Sequence, residues 1–184
     1  MTALPETPDD RDLEATGGGL LPEPGPWTDA LTGVDGPRLW DRLVTSEQAR
    51  LRRHGGRVTV VLLDLIGFGE LATWVGRDVA VQAFGRLAHV VAGEIRSSDH
   101  IARVGADRFA ILLIETDEVR TLNFIDRVLR ACQPELDALG GLVRIGVGWA
   151  SPTPVHDLAG ALTLAEERLS SDFFATRGRT AAAG

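Results

Sequence analysis

An arginine and an aspartate three positions apart are the side chains with the clearest chemistry in this sequence. They are Arg96 and Asp99, the two ends of the run RSSD at residues 96–99. An arginine fork can donate hydrogen bonds to the O6 and N7 atoms of a purine, and it can stack on the ring. A carboxylate can accept from ring N–H groups, so together the two can hold a purine edge. Alternatively, they form a surface ion pair at a helix end, which would contribute little.

Hydrophobic periodicity predicts the elements that must position this pair. Their order is helix, strand, helix, helix, strand, strand, helix, strand, helix, which favours an α/β domain with helices covering a mixed central sheet. Residues 58–64 are almost continuously apolar, as expected of a central strand. Strands at 100–103 and 109–114 flank a tight turn and predict a hairpin. Arg96 is expected to end the long third helix, and Asp99 to begin the strand after it.

Composition argues against several kinds of partner. The chain has 184 residues, of which 44% are hydrophobic, enough for one domain with a core. Its formal net charge of −7 argues against binding nucleic acid or an anionic membrane. No apolar run approaches the ~18 residues of a membrane span, and no secretory signal is recognisable. We therefore expect no membrane insertion and a cytoplasmic location. Cys132 is expected to be a small buried hydrophobe.

The sequence divides into three predicted segments. Residues 1–26 are rich in proline, glycine and acidic residues and are expected to be a flexible tail. Residues 27–172 are expected to form the single domain, whose last helix should end near Leu169. Residues 173–184 are expected to be a C-terminal tail.

Five short motifs, in the same order along the chain, give the sequence a resemblance to the GGDEF family, the diguanylate cyclases. They are DALTGV at 29–34, Arg38, LDLIGF at 63–68, GADRF at 105–109 and the strand at 143–150. The resemblance implies a palm-like α+β fold shared with class III nucleotide cyclases. Active members join two GTP molecules into cyclic di-GMP by a metal-assisted phosphoryl transfer.

We call residues 105–109 the signature turn; they are Gly105, Ala106, Asp107, Arg108 and Phe109. By resemblance, Asp64 and Asp107 match metal-binding aspartates. Arg108 stands in place of a glutamate, which puts a fixed positive charge at the metal position. Ala106 replaces a glycine, and its methyl group should resist a positive φ. The resemblance therefore implies no bound metal, with Asp64 and Asp107 left as vestigial ligands.

Other positions at which the family recognises its substrate are also changed. By resemblance, Gly69 replaces a lysine that contacts phosphate, and Ala72 and Val81 replace two guanine-binding residues. A further lysine becomes Phe173, with only Arg177 and Arg179 nearby. Because metal, phosphate and base recognition are all altered, we expect no diguanylate cyclase activity, no catalytic residue and no required cofactor.

The run RSSD resembles the family's inhibitory product site, which binds cyclic di-GMP and has the pattern R-x-x-D. Its distance from the signature turn agrees with the family. In the family a second arginine on the next helix completes this site, and by register we favour Arg127 over Arg130. The resemblance therefore implies a cyclic di-GMP site formed by Arg96, Asp99 and Arg127.

Three functions are compatible with these residues. The favoured one is a catalytically inactive GGDEF domain that acts as a cyclic di-GMP receptor and relays binding to a partner protein or to a ligand-linked homodimer. The second is a nucleotide-independent protein-interaction module, with Trp27 and Trp74 as candidate contact residues. The third is a residual enzyme that uses Asp64 and Asp107.

Overall fold

The computed structural model describes residues 21–181, with side chains to residue 171. Its helices and strands follow one another in the predicted order. They are α1 Pro37–His54, β1 Val58–Ile66, α2 Phe68–Val75, α3 Arg77–Gly93, β2 His100–Arg103, β3 Arg108–Ile114, α4 Glu118–Ala138, β4 Arg144–Ala150 and α5 Leu158–Ala181. The predicted side-chain positions Phe173, Arg177 and Arg179 lie outside the residues whose side chains are described.

The four strands form one sheet in the order β2-β3-β1-β4. The predicted combination of one central sheet with covering helices is confirmed, but the sheet is not mixed. Every pair of neighbouring strands is antiparallel, because β3 returns from the hairpin and inserts between β1 and β2. Those two strands run parallel but do not touch. Among the described residues, the one parallel contact is an isolated bridge between Asp35 and Ala102.

β1 is the central strand, as predicted, and it is buried on both faces. Because side chains alternate along a strand, Val61 and Leu63 pack against α2, α3 and α4. Val60 and Leu62 point the other way and pack against α1 and α5. Burial of each such side chain is worth ~1.5–3 kcal/mol. The two core layers therefore fix β1, and with it the position of the residues at its end.

Helix α5 packs closely on the edge strand β4. A Cβ atom at Gly148 would lie 2.0 Å from the Ala165 carbonyl oxygen, so the missing side chain permits this approach. The helical backbone continues to Ala181, well past the predicted end near Leu169. Because no proline interrupts this part of the sequence, the C-terminal tail expected from residue 173 is largely helical instead.

The last part of the predicted N-terminal tail packs against the domain. Leu21 is buried in the core layer beside α3, and the Pro22 carbonyl oxygen accepts a hydrogen bond from the Arg103 side chain at 2.7 Å. Residues 21–26 are therefore part of the packed structure, because one apolar side chain and a backbone acceptor tie them down. The rest of that predicted tail, residues 1–20, lies outside the described residues.

Within residues 21–181, no helix combines the length and the apolar character that crossing a bilayer would require.

Candidate functional site

The signature turn is held by two backbone hydrogen bonds where the β2–β3 hairpin meets β1. The Val104 N–H donates to the Arg108 carbonyl oxygen at 3.0 Å, and the Leu65 N–H donates to the Asp107 carbonyl oxygen at 2.9 Å. Ala106 has a backbone φ outside the left-handed region. The expected conflict between its methyl group and a positive φ therefore does not arise, and the turn accommodates the alanine without strain.

A fully buried arginine, Arg103, anchors the base of this turn. Its guanidinium donates to Asp29 Oδ1 at 3.0 Å and to the Pro22 carbonyl oxygen at 2.7 Å. It also donates to the Ala106 carbonyl oxygen at 2.5 Å and lies 4.8 Å from the centre of the Phe84 ring. Arg103 therefore ties the N-terminal segment, the core and the signature turn together through one charged group.

Asp64 and Arg108 face each other across β1 and β3. The Arg108 Nε atom donates to Asp64 Oδ1 at 2.6 Å, and its Nη2 atom donates to Asp64 Oδ2 at 2.8 Å. This two-pronged geometry is the strongest form of arginine–carboxylate pairing. The hydrogen bond that Arg108 donates to Asp64 also raises the pKa of Arg108, so the side chain stays charged. The carboxylate that the resemblance assigns to a metal ion is therefore paired with an internal cation.

Asp107 lies beside this pair. Desolvation of its carboxyl raises its pKa above the ordinary value, and repulsion by Asp64 raises it further. Arg108 and Arg103 act in the opposite direction but do not reverse the shift. The side chain is still exposed by surface area, so solvent moderates the effect. Ionised Asp107 is consequently a mildly unfavourable charge in the folded protein.

These residues do not fit the metal centre that cyclase chemistry needs. Two divalent ions require several carboxylate oxygens that are free to coordinate them, whereas both Asp64 oxygens accept hydrogen bonds from Arg108. In the part of the chain with described side chains, no group of three or more His, Cys, Asp or Glu residues could hold a metal ion. The signature turn therefore lacks the free carboxylate oxygens that a metal-dependent step would require.

The raised pKa of Asp107 predicts a pH-dependent effect of Asp107→Asn on stability. The folded protein binds a proton at Asp107 more readily than the unfolded chain does, so wild-type stability falls as pH rises between the ordinary and the raised pKa values. We expect Asp107→Asn to be more stable than wild type at pH 7, and the gain to shrink as pH falls through the raised pKa and to vanish below the ordinary value of ~3.9. Urea unfolding of wild type and variant, at pH 7 and at a pH below ~3.9, measures this difference in stability. A gain that grows on acidification would contradict the assigned shift.

The substituted substrate positions do not offer polar groups. Ala72 on α2 and Val81 on α3 both pack against the core layer under the sheet. Gly69 is on α2, and a Cβ atom added there would have no other atom within 4 Å. The two positions assigned by resemblance to guanine binding thus carry apolar side chains, and the position assigned to phosphate binding carries none.

The RSSD turn, residues 96–99, lies after α3 rather than at its end. The helix stops at Gly93, so Arg96 is in a turn closed by a hydrogen bond from the Asp99 N–H to the Arg96 carbonyl oxygen at 3.0 Å. Asp99 precedes β2 by one residue, and its Oδ1 atom accepts from the Ile114 N–H at 3.0 Å. The prediction that Arg96 ends the helix was wrong, because two tighter backbone hydrogen bonds close the helix first, from the Glu94 N–H to the Val91 carbonyl oxygen and from the Ile95 N–H to the Ala92 carbonyl oxygen.

Arg96 and Asp99 are neighbours that do not pair with each other. Arg96 is exposed, and no acidic side chain among the described residues lies within ion-pair distance of it. Asp99 is half-buried and directs one oxygen to the backbone of β3. The alternative of a surface ion pair between the two is therefore absent, and the Arg96 side chain is open to solvent.

Arg127 reaches the same region from α4. Its Nε atom donates to Glu94 Oε2 at 2.5 Å and its Nη2 atom donates to the Glu94 carbonyl oxygen at 3.0 Å. Arg130 points elsewhere and pairs with Asp126 one turn back along the helix. The structure therefore places Arg127, and not Arg130, beside the RSSD turn, although its role there stays a prediction.

A shallow surface cleft that encloses only about 10 Å³ lies between the RSSD turn and α4. Its lining residues are Arg96, Asp99, Leu113, Thr116, Arg120, Phe124 and Arg127. Sequence reasoning missed Arg120 in this lining and Glu94 as the partner of Arg127. The spacing of Arg120, Phe124 and Arg127, at i, i+4 and i+7, would have placed them on one helix face.

The remaining residues singled out from the sequence divide between the core and the surface. Cys132 is fully buried, and desolvation raises the pKa of its thiol to about 11, which confirms it as an unreactive core residue. Trp27 is 46% exposed and has the Arg42 guanidinium 5.6 Å from its ring centre. Trp74 is 78% exposed. Both tryptophans are thus at the surface, as contact residues would have to be.

Comparisons with known proteins agree with this architecture. The chain is 30% identical over 100 residues to the probable diguanylate cyclase DgcC of Escherichia coli strain K12, an alignment that covers 54% of this chain and 27% of DgcC. The chain therefore spans about a quarter of the length of that relative.

Two solved structures have the same fold. The diguanylate cyclase SiaD of Pseudomonas aeruginosa, in complex with its activator SiaC, superposes with a TM-score of 0.71 and 20% identity over 80% of this chain and 58% of SiaD. The coiled coil and GGDEF domain of DgcB from Caulobacter crescentus, in complex with c-di-GMP, gives a TM-score of 0.71 and 18% identity, covering 82% of this chain and 81% of DgcB.

The palm-like α+β fold class is thereby confirmed. The family model described as "Diguanylate cyclase, GGDEF domain" matches residues 26–172, which is most of the chain. On that match, this chain belongs to the GGDEF domain family.

Proposed function

We propose that this GGDEF domain does not join GTP but binds cyclic di-GMP at the RSSD turn and passes that binding on to a partner protein or to self-assembly. The observation that carries the proposal is the contrast between two arginines. Arg108 is engaged by Asp64 through two short hydrogen bonds, whereas Arg96 is exposed and has no acidic partner among the described residues.

Support for the loss of catalysis comes from charge. A two-metal mechanism needs the carboxylates to neutralise the cations while those cations stabilise the attacking and leaving oxygens. The Arg108 guanidinium instead neutralises the Asp64 carboxylate. A metal ion bound at the same carboxylate would be repelled by that positive charge. DgcC, a probable diguanylate cyclase, is 30% identical to this chain over only 27% of its own length, so the charge at the signature turn is the stronger guide to activity here.

Support for cyclic di-GMP binding comes from the donors and acceptors that stay available. Arg96 is exposed, so its guanidinium is accessible to the Hoogsteen edge of a guanine. Asp99 uses its Oδ1 atom to hold β3, which fixes the carboxylate and leaves Oδ2 to accept from the ligand. Because the turn is braced by backbone hydrogen bonds, little ordering cost is expected on binding.

A nucleotide-independent interaction module is the second candidate. It is favoured by a surface patch at the α2–α3 junction, where Trp74, Val75 and Val79 are 78%, 43% and 48% exposed. Exposed apolar side chains that lie together often mark protein contacts. Capture of the same partner with and without cyclic di-GMP would support this candidate over the receptor.

Thermal unfolding with ligand tests the proposal. Cyclic di-GMP at ~100 times its Kd should add ~2.7 kcal/mol of stability, which raises the Tm by roughly 5–10 °C for a domain of this size. In a parallel assay, GTP with Mg²⁺ or Mn²⁺ should yield no cyclic di-GMP. Product formation would contradict the loss of catalysis, and an unchanged Tm at millimolar ligand would contradict the receptor.

A further inference from the structure

The cleft at the RSSD turn contains more positive charge than guanine recognition requires. Three arginines line it, Arg96, Arg120 and Arg127, and Asp99 is its one acidic lining residue. The lining side chains carry a formal charge of +2, from three positive charges and one negative, in a chain whose net charge is −7. Glu94 and Asp117 beside the cleft pair with Arg127 and Arg120, so an anionic ligand gains most where it displaces the weaker of these two pairs.

The three arginines are not equally available. Arg127 is engaged by both the carboxylate and the carbonyl oxygen of Glu94, so much of its charge is neutralised. Arg96 is free for a base edge. Arg120 is 63% exposed, and its Nε atom lies 4.0 Å from Asp117 Oδ2, at the outer limit of an ion pair. An exposed ion pair at this distance contributes little free energy, so Arg120 can move away from Asp117 at almost no energetic cost.

The position of Arg120 on α4 directs it to the cleft. Arg120, Phe124 and Arg127 share one face of the helix, and the Arg127 guanidinium lies 5.4 Å from the Phe124 ring centre. Phe124 is buried and keeps that face of the helix against the core. Arg120 therefore stands two turns before Arg127 along the same wall.

We infer that Arg120 is a further binding residue that contacts a phosphodiester of the bound dinucleotide and raises affinity, while Arg96 and Asp99 contact guanine. The inference rests on the proposed function, since it concerns the same site. A cyclic dinucleotide carries two phosphodiester charges, and Arg120 is the cation in the cleft that neither Glu94 nor a base edge engages. Phosphate contacts supply affinity without base selectivity and weaken with salt.

Calorimetry on the full chain tests this assignment with Arg120→Gln and the matched control Arg130→Gln, which changes an exposed arginine of the same helix outside the cleft. Arg120→Gln should raise the Kd for cyclic di-GMP roughly tenfold and weaken its dependence on salt, because one charge-assisted contact is lost. The ratio of Kd values for cyclic di-GMP and cyclic di-AMP should stay at its wild-type value. Arg130→Gln should change none of these quantities.

The outcomes separate the inference from the proposed function. If Arg120→Gln behaves like Arg130→Gln while wild type binds cyclic di-GMP, the inference is wrong and the receptor stands. A loss of guanine preference in Arg120→Gln would also overturn it, because a base contact would then be the role of Arg120. If wild type binds no cyclic di-GMP, the receptor and the inference fail together. Equal melting curves of the two variants without ligand show that both are folded.

Discussion

Replacing Arg96 with alanine is expected to weaken cyclic di-GMP binding ~100-fold or more. The guanidinium can supply two charge-assisted hydrogen bonds to guanine, each worth ~1.5–3 kcal/mol. The sum is at least ~3 kcal/mol, and each ~1.4 kcal/mol corresponds to a tenfold change in Kd. Because the Arg96 side chain is exposed and pairs with no acidic side chain among the described residues, its removal should leave the fold intact. Isothermal calorimetry of wild type and variant measures the effect.

Arg130→Ala is the matched control for this experiment. It removes the same charge from a side chain that pairs with Asp126 outside the cleft, and should leave the Kd within about twofold of wild type, as expected of a surface ion pair that touches no ligand. If Arg96→Ala kept wild-type affinity, the ligand would have to bind elsewhere on the chain. If both variants lost affinity equally, a general effect of charge would explain the result and the assigned site would be wrong.

Replacing Arg103 with methionine is expected to cost ~3–5 kcal/mol of folding free energy, because it leaves the buried Asp29 without its counter-charge. Both side chains are buried, with 0% and 3% exposure. The carbonyl oxygens of Pro22 and Ala106 would also lose their donors. Since a domain is stable by only ~5–15 kcal/mol, this one change removes a large share. Urea unfolding reports the loss.

A double variant checks the reason for that loss. Asp29→Asn combined with Arg103→Met should cost clearly less than the two single changes added together, because the amide removes the unpaired charge. Additive costs would mean that Arg103 acts mainly through its contacts with Pro22 and Ala106. A loss below ~1 kcal/mol in Arg103→Met would contradict the anchoring role of the buried pair. The exposed Arg130→Ala should again change little.

The order of the elements could be predicted because each one has a strong local pattern. β1 is almost continuously apolar, and the helices carry an apolar stripe. The antiparallel arrangement of the sheet could not be predicted, since no local pattern shows that β3 inserts between β1 and β2. The length of α5 was also missed: the predicted end lay near Leu169, whereas the helical backbone continues to Ala181.

The candidate site was predicted only in part. The sequence placed Arg96, Asp99 and Arg127 in one region, and the structure brings them to one cleft. The sequence did not indicate that Glu94 would accept hydrogen bonds from Arg127, since that contact depends on how the end of α3 packs against α4. The charge of Arg108 was evident from its type, but its two hydrogen bonds to Asp64 depend on the register of β1 and β3.

Parallel calorimetric titrations of the wild-type chain with cyclic di-GMP, GTP and cyclic di-AMP at physiological salt are the most direct test of the receptor. The proposal predicts a micromolar or lower Kd for cyclic di-GMP and markedly weaker binding of the other two, because two guanines and two phosphodiesters together match the arginines and Asp99 of the cleft. Absence of cyclic di-GMP binding at millimolar concentration, or tighter binding of GTP, would contradict it.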